Sequence, residues 1–462
     1  MAGVRTKPGV PSFDPPQPGR GRILAAAILI QIGIGSVYAW SVFQAPLAAR
    51  FPTWSEGRVT LPAQIVLAVF ALAVIVGGRW TDRFGPRAVA TAGGILLGVG
   101  VGSAGLAGRF APGPALAWLV GSYSVVGGAG VGLGYISSLA AVVRRFPDKR
   151  GSAAGLTVAG FGAGAFLFAP LAEALISGGR YRLLGLPLFS VPAIGVGNTF
   201  FALGLTFFVV AGCAARLLDG AERAEDNADF PAAAGWNMGP RRMARTPQFW
   251  ILWTAMAAAC AAGLQIIMKA APLWRAAALR EAGPFVASSA MRAIAVQGAL
   301  IVSLLAAANA AGRVAGGRLS DAIGRKASLV SLFLLCGAVL FAFGSARTFG
   351  AFAAAASCVG ACYGGLLAVF PSITADYFGA RQYGANWGWM FSAFGVGGWI
   401  GPFLAARLMT IGGTVRAETF ESGRSAVVNA TVGDYRAGFL VGAMLCLAAA
   451  AAVFFLKPPG RP

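Results

Sequence analysis

The chain contains no histidine, which removes imidazole general-base chemistry and the commonest zinc ligand. Charge is scarce as well: Asp, Glu, Lys and Arg make up 11% of the 462 residues, against about a quarter in a soluble domain. Acidic residues are fewest, 16 against 37 Lys and Arg, which leaves a formal net charge of +21. Cysteine is limited to Cys213, Cys260, Cys336, Cys358, Cys362 and Cys446. All six fall inside apolar stretches and no CxxC pair occurs, so neither a disulfide framework nor a metal site is indicated and the thiols read as small packing residues. The glycine run Gly127-Gly128-Ala129-Gly130-Val131-Gly132-Leu133-Gly134 has no strand before it and no Lys-Ser/Thr after it. It is helix-packing material rather than a phosphate loop. With no nucleophile motif either, no catalytic residue, metal or cofactor is expected, and the chain does not read as an enzyme.

What is present is apolar surface. Hydrophobic residues form 57% of the chain and the mean hydropathy is +0.71, values suited to a lipid solvent. Apolar runs lie at about 23–46, 61–79, 88–107, 115–143, 152–176 and 198–216, then 249–273, 293–317, 327–345, 349–373, 384–409 and 437–456. Each suits a spanning helix of about 20 residues. The pattern predicts an all-α membrane protein of twelve transmembrane helices in two six-helix bundles, 23–216 and 247–457. A polar linker, 217–246, joins them, and short tails, 1–22 and 458–462, flank them. The remaining residues are expected to form short connections, with no separate soluble domain. The first run lacks a following cleavage site and reads as a retained helix rather than a signal peptide. With both termini placed in the cytoplasm, 22 of the 37 Lys and Arg lie in cytoplasmic segments and 13 in outer ones, with Lys269 and Arg313 inside helices. The basic balance is therefore a topological signal, not a nucleic-acid footprint, and it predicts a multi-pass inner-membrane protein whose termini and linker are cytoplasmic.

An internal repeat supports the two-bundle division. Gly77-Gly78-Arg79-Trp80-Thr81-Asp82-Arg83-Phe84-Gly85-Pro86-Arg87 is echoed by Gly316-Gly317-Arg318-Leu319-Ser320-Asp321-Ala322-Ile323-Gly324-Arg325-Lys326, with Asp321 lying 239 positions after Asp82. Each copy follows the second run of its half. Paired glycines allow helices to approach closely, the aspartate is suited to cap the next helix or to pair with a neighbouring arginine, and the basic residues hold the loop at the cytoplasmic face. Asp82, Arg83, Asp321 and Arg325 are thus candidate gating residues.

This repeated segment resembles the signature loop of the major facilitator superfamily, and the layout extends the resemblance over nearly the whole chain. It implies the major facilitator fold and alternating access about a site near the bilayer midplane. Three segments resemble a narrower group, the oxalate/formate antiporters and related monocarboxylate transporters: Tyr38-Ala39-Trp40-Ser41-Val42-Phe43, Arg145-Phe146-Pro147-Asp148-Lys149-Arg150-Gly151 and Arg245-Thr246-Pro247-Gln248-Phe249-Trp250. A fourth, Asn309-Ala310-Ala311-Gly312-Arg313, includes the position where that group carries its anion-binding arginine. The residues agree. Arg313 lies eight positions before Asp321, about 12 Å into the membrane, where a cation is costly and usually functional. Its repeat-mate is Val74, so the fold itself does not demand arginine. A guanidinium suits a carboxylate, and the alternative is a side chain snorkelling to the cytoplasmic surface.

Lys269 is the second intramembrane cation, with a site role and an interfacial anchor as its two readings. At the position where the oxalate carriers place a lysine on the eleventh helix this chain has Met390, and where many animal monocarboxylate carriers have an acidic residue it has Asn309. Apart from Glu173 near an outer end, no carboxylate is expected within a helix, so an obvious proton carrier is missing. Aromatic residues placed by the resemblance complete the expected cavity: Tyr38, Trp40, Tyr135, Phe161, Tyr363 and Trp387. The expected activity is secondary transport of a small carboxylate such as lactate, pyruvate or formate, coupled to protons or to a counter-anion, by a protein functional as a monomer in the bilayer. A strict oxalate/formate exchanger and a non-transporting anion sensor are the rival readings.

Overall fold

The structure, a computed structural model, describes residues 19–183, 186–218, 237–281, 285–408, 410–421 and 424–459. Most of the N-terminal tail, most of the 217–246 linker and the last three residues lie outside these. Six helices form the first bundle: α1 (Arg20–Arg50), α2 (Glu56–Phe84), α3 (Pro86–Ala104), α4 (Pro112–Arg145), α5 (Arg150–Ser177) and α6 (Gly195–Arg216). The second bundle repeats the plan with α7 (Pro247–Ile267), α8 (Ser288–Ile323), α9 (Arg325–Phe343), α10 (Phe349–Phe378), α11 (Tyr383–Arg407) and α12 (Arg436–Phe454). Among the described residues eleven helices are long and apolar enough to cross a membrane, and the 25-residue α11 is the twelfth of the layout. Helices are the forced solution, because lipid offers no partner for a free backbone N–H or C=O.

Four expectations need correction. The repeated motif is mostly helix rather than loop: α2 runs through Asp82 and Arg83 to Phe84, α8 through Asp321 to Ile323, and only Gly85 and Gly324 separate them from α3 and α9. These two glycines take φ of 83° and 88°, values that Cβ-bearing residues avoid, so the chain reverses in a single residue. As a result Asp82, Asp321 and also Asp376, near the end of α10, are carboxylates within helices. The apolar-run limits missed them because helices continue a turn or two beyond the hydrocarbon.

The seventh run is not one helix. It breaks at Met268–Lys269 and resumes as Ala270–Glu281, because Pro272 has no N–H to offer and its ring clashes with the preceding turn. α1 tightens to 3₁₀ geometry at Ser36–Trp40, and α4 contains a π-helical stretch, Val120–Gly127.

The connections between helices are not all short. β1 (Gly179–Leu183) pairs antiparallel with β2 (Leu186–Val191) between α5 and α6. Between α11 and α12, β4 (Thr410–Glu421) pairs antiparallel with β5 (Arg424–Asp434), and β3 (Phe285–Val286) joins β4 in parallel. Both hairpins lie at one end of the bundles, the hairpin end; the Asp82 and Asp321 segments mark the other, the motif end.

The bundles meet along two seams, α2 against α11 and α5 against α8. Both rely on missing side chains: a Cβ on Gly78 would strike the Gly384 carbonyl, and one on Gly317 would strike that of Gly151. Close backbone approach replaces the hydrophobic drive that lipid cannot supply between helices.

Candidate functional site

Arg313 sits at the α5–α8 seam with 6% of its surface exposed. Its Nε donates to Oδ1 of Asn309, one turn earlier, at 3.0 Å, and its Nη1 donates across the seam to the carbonyl of Val158 at 2.6 Å. The guanidinium thus bridges the two bundles. Glycine makes this possible: a Cβ on Gly155 would strike the Arg313 carbonyl, and one on Gly364 of α10 the Asn309 carbonyl. Two of its donor nitrogens, Nε and Nη1, are thus occupied by the protein.

Three tyrosines from both bundles share this region: Tyr38 on α1 and Tyr135 on α4, whose rings both meet Phe161, and Tyr363 on α10, next to the Gly364 that abuts Asn309. Tyr38 is the open side of the cluster, 43% exposed where the others are buried. Its ring meets that of Phe161 edge-on at 5.3 Å, and Phe161 lies 6.0 Å from Tyr135. Gly263 of α7 leaves room for the Tyr363 ring, which a Cβ there would strike. The cluster presents one buried guanidinium, tyrosine hydroxyls and aromatic faces. A guanidinium beside hydroxyls and rings is chemically suited to a small anion with an apolar side.

Of the residues singled out from the sequence, the structure brings Arg313, Asn309, Tyr38, Tyr135, Phe161 and Tyr363 together. Trp387 stands behind them, fully buried, 5.9 Å from the Phe391 ring and stacked on Tyr383. Trp40 does not join. It lies inside the first bundle, its indole N–H donating to the Val59 carbonyl at 3.0 Å and its ring 4.6 Å from Tyr123. Lys269 is exposed in the break after α7, with no hydrogen bond or ion pair to Arg313 or its neighbours among the described residues. Met390 is fully buried. Sequence reasoning missed Phe70 and Phe391, whose rings meet those of Tyr135 and each other. Phe70 and Phe391 carry no motif, and only their helix faces, once assembled, distinguish them from other phenylalanines.

The motif end is closed by charges acting between bundles. Asp82 is ion-paired with Arg144 and accepts from the amides of Gly384 at 2.9 Å and Ala385 at 2.8 Å, so it caps α11. Asp321 does the same for α5, accepting from Gly151 at 2.9 Å and Ser152 at 2.7 Å, and pairs with Arg325. Each aspartate therefore caps a helix of the opposite bundle, not the next helix in the chain. Arg325 also reaches Asp376 at 2.7 Å, and Asp376 pairs in turn with Arg150 of α5. Arg83 stays outside this network, exposed with its guanidinium 5.3 Å over the Phe84 ring.

Comparison with known proteins agrees with this architecture. The family model described as Major Facilitator Superfamily matches residues 23–296 and 283–462. The oxalate:formate antiporter of Oxalobacter formigenes is 30% identical over 407 residues, which cover 83% of this chain and 84% of that protein. The apicoplast pyruvate carrier 1 of Toxoplasma gondii is 28% identical over 401 residues, covering 76% of this chain and 70% of that one. Among solved structures, the E. coli fucose:proton symporter shares the fold at 14% identity, with a TM-score of 0.63 over 95% of this chain and 99% of that one. With the family pattern matched across both bundles, this chain belongs to the Major Facilitator Superfamily of membrane transporters.

Proposed function

We propose that this transporter carries small monocarboxylate anions through the inner membrane by alternating access, with Arg313 as the anion ligand. The observation that carries the reading is Arg313 itself: a buried guanidinium at the junction of the two bundles, held by an amide oxygen and a backbone carbonyl and, among the described residues, by no carboxylate. A dianion held at both ends needs a second cation against the cost of burying its charge. Lys269 is exposed in a helix break and Met390 fills the place of the missing lysine, so a single negative charge suits the site better.

Exchange against a second anion is the favoured coupling. Asp82, Asp321 and Asp376 are engaged by arginines and helix amides at the motif end, and none lies beside Arg313 as a proton carrier. The similarity to an oxalate:formate antiporter keeps strict oxalate/formate exchange as the second reading.

The test is uptake of labelled lactate, pyruvate, formate and oxalate into liposomes, with and without a proton gradient and with and without an internal anion. Monocarboxylate uptake that requires an internal anion is the expected result. Uptake of oxalate alone would overturn the monocarboxylate reading, and binding without uptake would make the protein a sensor.

A further inference from the structure

The two seams follow one pattern and differ at one layer. Gly151, Gly155, Val158 and Gly162 of α5 recur 233 positions later as Gly384, Gly388, Phe391 and Gly395 of α11. Spacings of four, three and four residues keep such a set on one helix face. In both helices that face meets the opposite bundle: Gly151 and Gly155 abut Gly317 and Arg313, while Gly384 and Gly388 abut Gly78 and Val74. At the third position the seams diverge. Val158 offers its carbonyl to Arg313, whose own counterpart in α2 is Val74. Phe391 instead fills its layer with a ring, 5.3 Å from Phe70 of α2 and 5.0 Å from Tyr135.

One seam is therefore cationic and the other aromatic, at matching depth. Arg313 lies eight residues from Asp321 and Phe391 seven from Gly384, about 12 and about 10 Å from the motif-end caps. The rings run on from the aromatic seam to the cationic one: Phe70 stacks on Phe161 at 5.8 Å, and Phe161 meets Tyr38 at 5.3 Å and lies one turn beyond Val158, whose carbonyl accepts from Arg313.

We propose that Phe70 and Phe391 set the longest anion this protein moves. The inference rests on Arg313 holding the carboxylate; the carbon skeleton then extends from the guanidinium toward the aromatic seam. Phe70 is 1% exposed and has four ring neighbours, Tyr135, Phe161, Phe391 and Phe394, so its ring is enclosed by others. A skeleton that reaches it wedges Phe391 from Phe70. The same two helices must bring Gly78 against Gly384 and Asp82 onto the α11 amides, only two turns away. A long acid is consequently bound but not carried, because the motif end cannot close beneath it. Length is read at closure, not at binding.

A straight-chain series from acetate to hexanoate, measured in proteoliposomes both as labelled uptake and as inhibition of acetate uptake, separates the two steps. In the parent protein uptake stops partway along the series while inhibition persists, strengthening by up to about fourfold for each methylene buried. Phe391→Ala moves the uptake cut-off to longer acids, and Phe391→Trp moves it to shorter ones. Opposite shifts from one position cannot come from general loss of folding, and if Phe391→Ala proves inactive the Phe391→Trp shift decides alone. An unchanged cut-off in the active variants overturns the proposal when Arg313→Lys raises the concentration giving half-maximal uptake in the same assay. Unchanged uptake by Arg313→Lys overturns instead the reading on which it rests.

Discussion

Arg313 owes its position to what its neighbours lack. Gly155 and Gly364 let two helices press against its backbone, while Asn309 and Val158 take two of its donors and hold the guanidinium flat across the seam. A lysine keeps the charge but cannot bond two acceptors in one plane and still present donors to a carboxylate. Arg313→Lys is expected to weaken substrate transport by about 1.5–3 kcal/mol, the range of a charge-assisted hydrogen bond. That is roughly a tenfold to hundredfold rise in the substrate concentration giving half-maximal uptake, read from initial rates at matched protein density. Lys269 lies at the other extreme. Its ammonium is exposed, so Lys269→Gln is expected to change uptake rates by less than about twofold. Selective loss of oxalate uptake in that variant would instead put Lys269 in the site.

At the scale of helices, the repeated motif is a cross-bundle cap. Asp82 lies on α2 but terminates α11, and Asp321 lies on α8 but terminates α5, so each carboxylate satisfies helix amides that would otherwise face lipid headgroups or water. The two caps are not equivalent. Asp321 belongs to a chain of ion pairs running through Arg325 and Asp376 to Arg150, whereas Asp82 has Arg144. Asp82→Asn keeps the shape and an amide acceptor but leaves buried Arg144 without its counter-charge. The closed motif end should lose about 1–3 kcal/mol, a shift of roughly 5- to 150-fold toward the open form. Spin labels on Lys149→Cys and Arg381→Cys, in a Cys213→Ser background, report it as a second, longer distance. One unchanged distance would show that this cap does not limit opening.

For the whole molecule, a pseudo-symmetric frame carries an asymmetric site. Glycines hold both seams at the same close approach, and the difference between Val158 with Arg313 and Phe391 with Phe70 gives one half the charge and the other the rings. Orientation follows from charge: the motif end, rich in arginine, should face the cytoplasm. In the Cys213→Ser background, Lys149→Cys at the motif end and Ser345→Cys at the hairpin end are both exposed. An impermeant maleimide added outside intact cells should label Ser345→Cys alone. Labelling of Lys149→Cys from outside would invert the topology.

The sequence by itself determined the number of spanning segments, their division into halves, the repeat and the family. These depend on transfer free energies summed over about 20 consecutive residues, and neighbours in the chain carry that signal whatever the helices later touch. Arg313 was legible for the same reason, since a charge inside an apolar run needs no partner to be noticed. Only the tertiary structure decided that Trp40 belongs to the first bundle's interior, that Lys269 stands in a break, that the aspartates cap across bundles, and that Phe70 and Phe391 meet. In water an apolar face marks the side a helix buries, but in lipid both sides are apolar and periodicity loses that meaning. Which faces meet is set instead by backbones approaching where glycine permits, between residues as far apart as Gly78 and Gly384.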